Sequence, residues 1–349
     1  MTARVLVIYT GGTIGSVPSD PADPTSPLRP ADRDRLSAYI PNPLDGITWD
    51  LVGLADGNGV PVPPLDSSSV GPRHWVWMAQ TVARFYDGYD GFVILHGTDT
   101  MAYTGSALSF LLRHLGKPVV VTGSQIPIVR TRTDAVVNLV NALHVAGYKA
   151  TGLPCVPEVT IAFADRLLRA NRATKVSTTR WAAFDSPNLP PLGRFDLGVS
   201  IDATLIRPVP APAAFSADGR LDRRVMVLSL YPGMAADQIA GTLMLPDIHG
   251  YVLRTFGAGN APEDDAFLET LATAVRDGKT IVNVTQCAEG AVEMGLYAAG
   301  AGLARAGVLS GGDMTTEAAQ TKLMWLLANV APPDIPGHFL TDQCGERSV

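Results

Sequence analysis

Short apolar runs rich in Val and Ile recur along the chain, each broken off by glycines and hydroxyl residues. Val5-Leu6-Val7-Ile8-Tyr9 runs directly into Thr10-Gly11-Gly12-Thr13-Ile14-Gly15, and Gly91-Phe92-Val93-Ile94-Leu95 into His96-Gly97-Thr98-Asp99-Thr100. A continuous apolar run without polar alternation predicts a strand buried on both faces, as in a parallel sheet. Further strands are predicted at Pro118–Thr122 and Glu158–Phe163. Between them, apolar positions at helical spacing predict helices over Pro72–Tyr86, Met101–Leu115 (closed by Gly116) and Thr133–Ala146 (stopped by Gly147). Strand, loop and helix repeated in this way predict a doubly wound parallel sheet with right-handed crossovers. Ligands of open α/β sheets sit at the carboxyl ends of the strands, so both threonine loops are expected to face one crevice.

The pattern is interrupted twice. Ser16–Pro30 is dense in Pro, Ser and Asp and forms no regular element; a mobile lid and a plain surface loop remain open. Asp66-Ser67-Ser68-Ser69 precedes the helix at Pro72, where Ser69 reads as a cap. A proline-studded segment through Pro187, Pro191, Pro208 and Pro212 then has the composition of an interdomain linker, placed at 196–221. Beyond it strands are predicted at 225–231, 251–256 and 280–284, with helices at 234–243, 263–276 and 315–328. The expected organisation is α/β: a larger N-terminal doubly wound parallel sheet domain (1–195) and a smaller C-terminal α/β domain (222–349), with a Pro- and Gly-rich tail after Ala331 expected to fray.

Bulk properties narrow the function. A chain of 349 residues exceeds what one compact core usually holds. The net charge of −6 and the lack of a basic stripe argue against nucleic acid or an anionic membrane as partner. The three cysteines, Cys155, Cys287 and Cys344, show no C-x-x-C spacing, which argues against a disulfide framework and against zinc. A reducing cytoplasm suits them. The start of the chain has too few apolar residues for a signal-peptide core, and no apolar stretch approaches the roughly 20 residues of a membrane helix. The Asn283-Val284-Thr285 sequon lies in a strand-like run and reads as chance.

The glycine loop is not G-x-G-x-x-G, no Walker lysine follows it, and neither H-E-x-x-H nor G-x-S-x-G occurs. A phosphate cradle stays possible, because glycine turns at strand ends expose amides. The sharper reading is hydrolysis by a hydroxyl nucleophile. A threonine is weakly nucleophilic and needs a partner to take its proton. Thr98 beside Asp99 could relay that proton if a lysine completes the set, and Lys175 in Asn171-Arg172-Ala173-Thr174-Lys175 is the candidate, a solvated surface lysine being the alternative. Backbone amides of the glycine loop could hold the oxyanion, which is often worth about 3–4 kcal/mol in the transition state.

In order and placement, the two loops resemble the paired signatures of the bacterial L-asparaginase family, T-G-G-T-I-G and H-G-T-D-T. The resemblance runs along nearly the whole chain, through Ser124-Gln125-Ile126-Pro127, Ser186-Pro187-Asn188-Leu189-Pro190-Pro191 and Gly257-Ala258-Gly259-Asn260-Ala261-Pro262, and is nearest to the cytoplasmic type I branch. It implies hydrolysis of the side-chain amide of L-asparagine to aspartate and ammonia through an acyl-enzyme, with no metal or cofactor. Thr13 then resembles the nucleophile, and Thr98, Asp99 and Lys175 the second triad, Asp99 also holding the substrate's α-amino group. Asp66, Ser67 and Ser68 match the segment gripping the substrate's α-groups, with Gly12 and Gly97 completing the binding set. A homodimer or dimer of dimers is implied, as is a second asparagine site acting as effector, at Thr174, Arg254, Asn260 and Cys287.

Two positions depart from the family. Its lid loop carries a tyrosine after the nucleophile, whereas here Pro21-Ala22-Asp23-Pro24-Thr25 holds none and the first afterwards is Tyr39, leaving Thr25 or Ser26 for that part. The secreted branch uses a glutamate where Met294-Gly295-Leu296-Tyr297 has none. Alternatives to an asparaginase are a glutaminase-asparaginase, the amidase component of a transfer-RNA-dependent amidotransferase, or an asparagine-binding sensor without turnover. Of the other polar and aromatic residues, His96 is expected to be a hydrogen-bonded structural histidine, Trp75 and Trp77 packing residues, and Cys287 a buried apolar group. Arg130, Arg132 and Asp134 are expected either to line the crevice or to form a surface ion pair.

Overall fold

The computed structural model describes residues 1–20, 23, 26–30, 39, 42–209, 215–217, 219–295 and 298–348. Within the expected lid Pro21, Ala22, Pro24 and Thr25 lie outside the described residues, as do Leu296–Tyr297; Ser16–Pro18 and Leu28–Pro30 pair as short antiparallel strands where no regular element was expected. The chain divides into two compact units, Met1–Ser186 with Pro190–Gly219, and Pro187–Leu189 with Arg220–Val349.

The larger unit is built on an eight-stranded sheet. Its five parallel strands are β1 (Ala3–Tyr9), β2 (Ile47–Gly53), β3 (Gly91–Leu95), β4 (Val119–Thr122) and β5 (Val159–Phe163), side by side in the order β2-β1-β3-β4-β5. Every residue of β3, β4 and β5 is buried, which accounts for their unbroken apolar runs. Helices α1 (Pro72–Phe85), α2 (Met101–Leu111) and α3 (Ala135–Ala146) fill the crossovers between β2 and β3, β3 and β4, and β4 and β5. This is the flavodoxin-like doubly wound order, whose direction of winding reverses between β1 and β3. The threonine loops follow those two adjacent strands. Tyr9 lies opposite Leu95 in the register, so the loops leave the sheet at the same level.

The sheet continues past β5 with three antiparallel strands, β6 (Arg166–Arg169), β7 (Gly193–Phe195) and β8 (Val199–Ile201). All three are short, and two of them carry Arg or Gly, so they left no strand-like run in the sequence. β8 lies within the stretch expected as a linker. Two local expectations are corrected. The cap of α1 is Gly71 with Pro72 in the first turn, not Ser69; Ser67–Ser69 form their own 3-10 turn, capped by Asp66. Helix α2 stops at Leu111 because Leu112–Arg113 turn extended and pair with Ser216–Ala217.

The smaller unit holds four parallel strands in chain order, β9 (Val225–Ser229), β10 (Gly250–Thr255), β11 (Thr280–Thr285) and β12 (Leu309–Ser310). Helices α4 (Ala236–Leu243), α5 (Asp265–Arg276) and α6 (Ala298–Arg305) contribute Leu243, Leu271 and Leu303 to a core around Tyr251, Leu253 and Ile281. Asn283, the sequon residue, is fully buried in β11.

The tail does not fray. Helices α7 (Thr316–Asn329) and α8 (Ile335–Leu340) are followed by a segment anchored on Lys322, whose side chain has 0% exposure. Its ammonium donates to the carbonyls of Phe339 (2.8 Å) and Thr341 (2.6 Å) and pairs with Glu346, also 0% exposed. The Glu346 carboxylate accepts the amides of Gln343 and Cys344 besides. Composition alone reads such a segment as loose; one buried ion pair with its hydrogen bonds completed fixes it.

Candidate active site

At the reversal point three loops meet through their main chains. Gly11 and Gly12 take φ of +120° and +86°, values open to glycine and strained for other residues. A Cβ on Gly11 would overlap the Leu65 carbonyl, and one on Gly12 the Gly97 amide. Gly12 N donates to Leu65 O (3.0 Å) and Leu65 N to Thr10 O (2.8 Å), which brings the segment before Asp66 onto the first loop. A Cβ on Gly97 would sit 2.5 Å from Ser67 Oγ. Ser67 Oγ in turn accepts the Asp99 amide (3.3 Å), and the Ser67 carbonyl accepts the Thr100 hydroxyl (2.7 Å).

The result is a cleft of about 260 Å³. Thr13, Thr98, Asp99 and Lys175 all line it, and so do Gly12, Gly97, Asp66 and Ser67. Lys175 arrives from a hairpin of Thr174–Lys175 with Phe184–Asp185. Its ammonium donates to Thr98 Oγ1 at 2.8 Å and to Asp99 Oδ1 at 2.7 Å. The Lys175 side chain is 17% exposed and that of Asp99 64%, so the solvated-surface alternative fails for the lysine. Thr13 opens a 3-10 turn capped by Gly12, with Ser16 Oγ donating back to Gly12 O (3.0 Å).

Ser68 has a different position: its amide (2.8 Å) and hydroxyl (2.7 Å) both donate to Asp66 Oδ1. The hydroxyl bond, followed by the amide bond, holds the Asp66 carboxyl below the usual carboxylate range, so Asp66 presents a charge to the cleft. His96 is fully buried at the end of β3, where desolvation pulls its pKa down to about 4. Its Nδ1 lies 2.7 Å from the Gly97 carbonyl, which can only accept, so the proton is on Nδ1. Nε2 then accepts from Thr104 Oγ1 (2.9 Å), which itself accepts from Trp75 Nε1 (2.9 Å). His96 is thus a structural residue, and Trp75 packs beneath it.

Sequence reasoning missed two lining residues, Gln125 and Thr178. Gln125 could have been found, because its loop follows β4, the next parallel strand at the same sheet end. Thr178 lies three residues beyond Lys175 and carried no signal of its own. Asp134 forms no surface ion pair. It is buried, and its carboxylate accepts the amides of Gln125 (2.9 Å) and Ile126 (2.9 Å).

Of the expected effector residues, Thr174 belongs to the larger unit and Arg254, Asn260 and Cys287 to the smaller. Cys287 is exposed, not buried: β11 ends at Thr285, and the cysteine stands in the turn beyond it. Arg254 lies near the end of β10 with its Nη1 3.2 Å from Ser229 Oγ, while its buried Nε has no hydrogen-bond partner. Among the described residues no cluster of three or more His, Cys, Asp or Glu could hold a metal, and no helix is long and apolar enough to cross a membrane.

Residues 4–207 match the family model described as asparaginase, N-terminal, and residues 224–335 the glutaminase/asparaginase C-terminal domain. The chain is 47% identical to L-asparaginase 1 of Escherichia coli (strain K12) over 272 residues, covering 76% of this chain and 77% of that one. It is 37% identical to an L-asparaginase of Thermococcus kodakarensis over 270 residues, covering 76% of this chain and 78% of the relative. The crystal structure of L-asparaginase I from Vibrio cholerae superposes with a TM-score of 0.87 at 38% identity, covering 100% of both chains. With both family models matched in order across its two units, the chain belongs to the asparaginase family.

Proposed function

We propose that the cleft hydrolyses L-asparagine to L-aspartate and ammonia. The observation that carries the reading is Lys175 bonded to both Thr98 and Asp99 in the cleft that Thr13 lines. In this reading Thr13 Oγ attacks the carboxamide carbon, and its proton passes through Thr98 and Lys175 to the amide nitrogen, which leaves as ammonia. Water then cleaves the Thr13 ester, releasing aspartate and returning the hydroxyl proton. Of the glycine-loop amides, those of Gly12 and Gly15 already donate to the carbonyls of Leu65 and Gly12, which leaves the developing oxyanion to the others. Asp66, Ser67 and Asp99 hold the substrate's α-groups, the charged Asp66 and Asp99 suiting its ammonium. The enzyme works without metal or cofactor, in the cytoplasm, as a homodimer or dimer of dimers.

Ammonia release from L-asparagine and L-glutamine, by the unmodified protein and by Thr13→Ala, tests this. Release from asparagine that falls at least a thousandfold in Thr13→Ala is expected. Asparagine bound without ammonia release in the unmodified protein would identify a sensor instead; equal rates on both amides would identify a glutaminase-asparaginase.

A second asparagine acting as effector is the further reading, with the exposed Nη1 end of Arg254, 3.2 Å from Ser229 Oγ, as the group for its carboxylate. The rate curve is then sigmoidal in asparagine and becomes hyperbolic in Arg254→Ala. A hyperbolic curve in the unmodified enzyme refutes the effector.

A further inference from the structure

Gln125 stands on the cleft wall beside Lys175 and Thr178, and three features fix it there. Its main-chain amide lies 2.9 and 3.1 Å from the two oxygens of the Asp134 carboxylate. Asp134 is itself buried and held by Asn138, whose Nδ2 also bonds the Gly123 carbonyl (3.0 Å) at the start of the same loop. The Gln125 side chain reaches across to the hairpin, where Nε2 donates to Arg180 O at 2.9 Å. A carbonyl can only accept, so the NH2 end of the carboxamide is turned to Arg180 and Oε1 is the free acceptor. The opposite wall is equally fixed, because Ser67 is bonded to Asp99 and Thr100.

We propose that Gln125 determines which side-chain amide the cleft accepts. Its Oε1 receives a hydrogen bond from the substrate's carboxamide N–H, and its clamped main chain limits the cleft to the length of asparagine. The inference rests on the reading of the cleft given above. A substrate held by its α-groups at Asp66, Ser67 and Asp99 carries its amide towards Lys175 and Gln125. Glutamine brings the amide one methylene further, against a wall that cannot retreat without breaking the Asp134 and Arg180 bonds. An acceptor placed for one amide position rejects a ligand that misses it far more strongly than an apolar wall would.

The test measures kcat/KM for L-asparagine and L-glutamine in the unmodified enzyme, in Gln125→Ala and in Gln125→Asn, which shortens the wall by the methylene that glutamine adds. A shift of at least tenfold in the ratio towards glutamine, in both variants, is expected. A change that only loosened the fold would lower both substrates together; a ratio unchanged within twofold overturns the inference. If the unmodified protein releases no ammonia from either amide, the hydrolytic reading fails by itself. The ratio is then read from calorimetric dissociation constants of the two amides, for Thr13→Ala with and without Gln125→Ala. The same tenfold shift upholds the role of Gln125, whereas an unchanged ratio or no binding of either amide refutes it.

Discussion

Acidification is expected to loosen the larger unit through His96. The imidazole is fully buried, donates through Nδ1 to the Gly97 carbonyl, and accepts at Nε2 from Thr104. A second proton would have to enter at Nε2 and turn that acceptor into a donor facing a hydroxyl already receiving the Trp75 indole. Desolvation accordingly depresses the folded pKa from 6.5 to about 4. Between those values the unfolded chain binds a proton that the folded chain refuses, so stability rises with pH across the window and is lost as pH falls from 6.5 towards 4. A gap of about 2.5 pH units, at about 1.4 kcal/mol each, makes the full loss about 3.5 kcal/mol, a large share of a typical domain's stability. Urea unfolding followed by tryptophan fluorescence between pH 4.5 and 7.5 measures it, because Trp49, Trp75, Trp77 and Trp181 all lie in the larger unit. Carboxylates titrate in the same range, so the comparison is with His96→Asn, which keeps a donor for Gly97 but cannot charge. This variant should lose about 2–3 kcal/mol less across the window. Parallel curves for the two proteins would refute the assignment of His96 as a buried neutral donor.

Other perturbations separate the parts of the molecule. Gly12→Ala places a methyl group on the Gly97 amide at a φ of +86°; kcat/KM for asparagine should fall at least a hundredfold, and a loss below tenfold would show that the loop contact is not needed. Lys322→Met leaves Glu346 buried without its counter-ion and should destabilise the smaller unit by about 3–5 kcal/mol, read from Trp325 fluorescence, with Lys322→Met/Glu346→Leu recovering much of the loss. Cys287, being exposed, should react with a thiol reagent well before Cys155, whose thiol burial pushes up in pKa; the reverse order would restore the buried expectation.

The parallel half of the larger sheet was legible because β3 to β5 are buried on both faces, so periodicity vanished into unbroken apolar runs. The reversal point followed from the same runs, since the hydroxyl-bearing loops sit at their ends. Strands β6 to β8 were not legible: three or four residues, most of them mixing arginine with leucine or glycine, carry no period. The same limit hid the order of the tail, where the deciding group is one lysine on α7 paired with a glutamate well beyond it in sequence. In the cleft, side chains borne by strand-end loops could be named beforehand. Ser68 and Cys287 could not be placed, because each stands in a tight turn whose direction depends on local hydrogen bonds. Asp134 shows the converse error, a carboxylate expected either to line the crevice or to form a surface ion pair, yet occupied by amides.

The backbone contact between Gly12 and Gly97 divides what can change in this pocket from what cannot. On that side the surface is peptide against peptide, with no side chain to exchange, and any substitution adds bulk where there is none to spare. Redesign for another amide, in the laboratory or by descent, is therefore confined to the facing side, where the hairpin and the Gln125 loop present replaceable groups. A family built this way can diversify its substrates from one flank while its chemistry stays put.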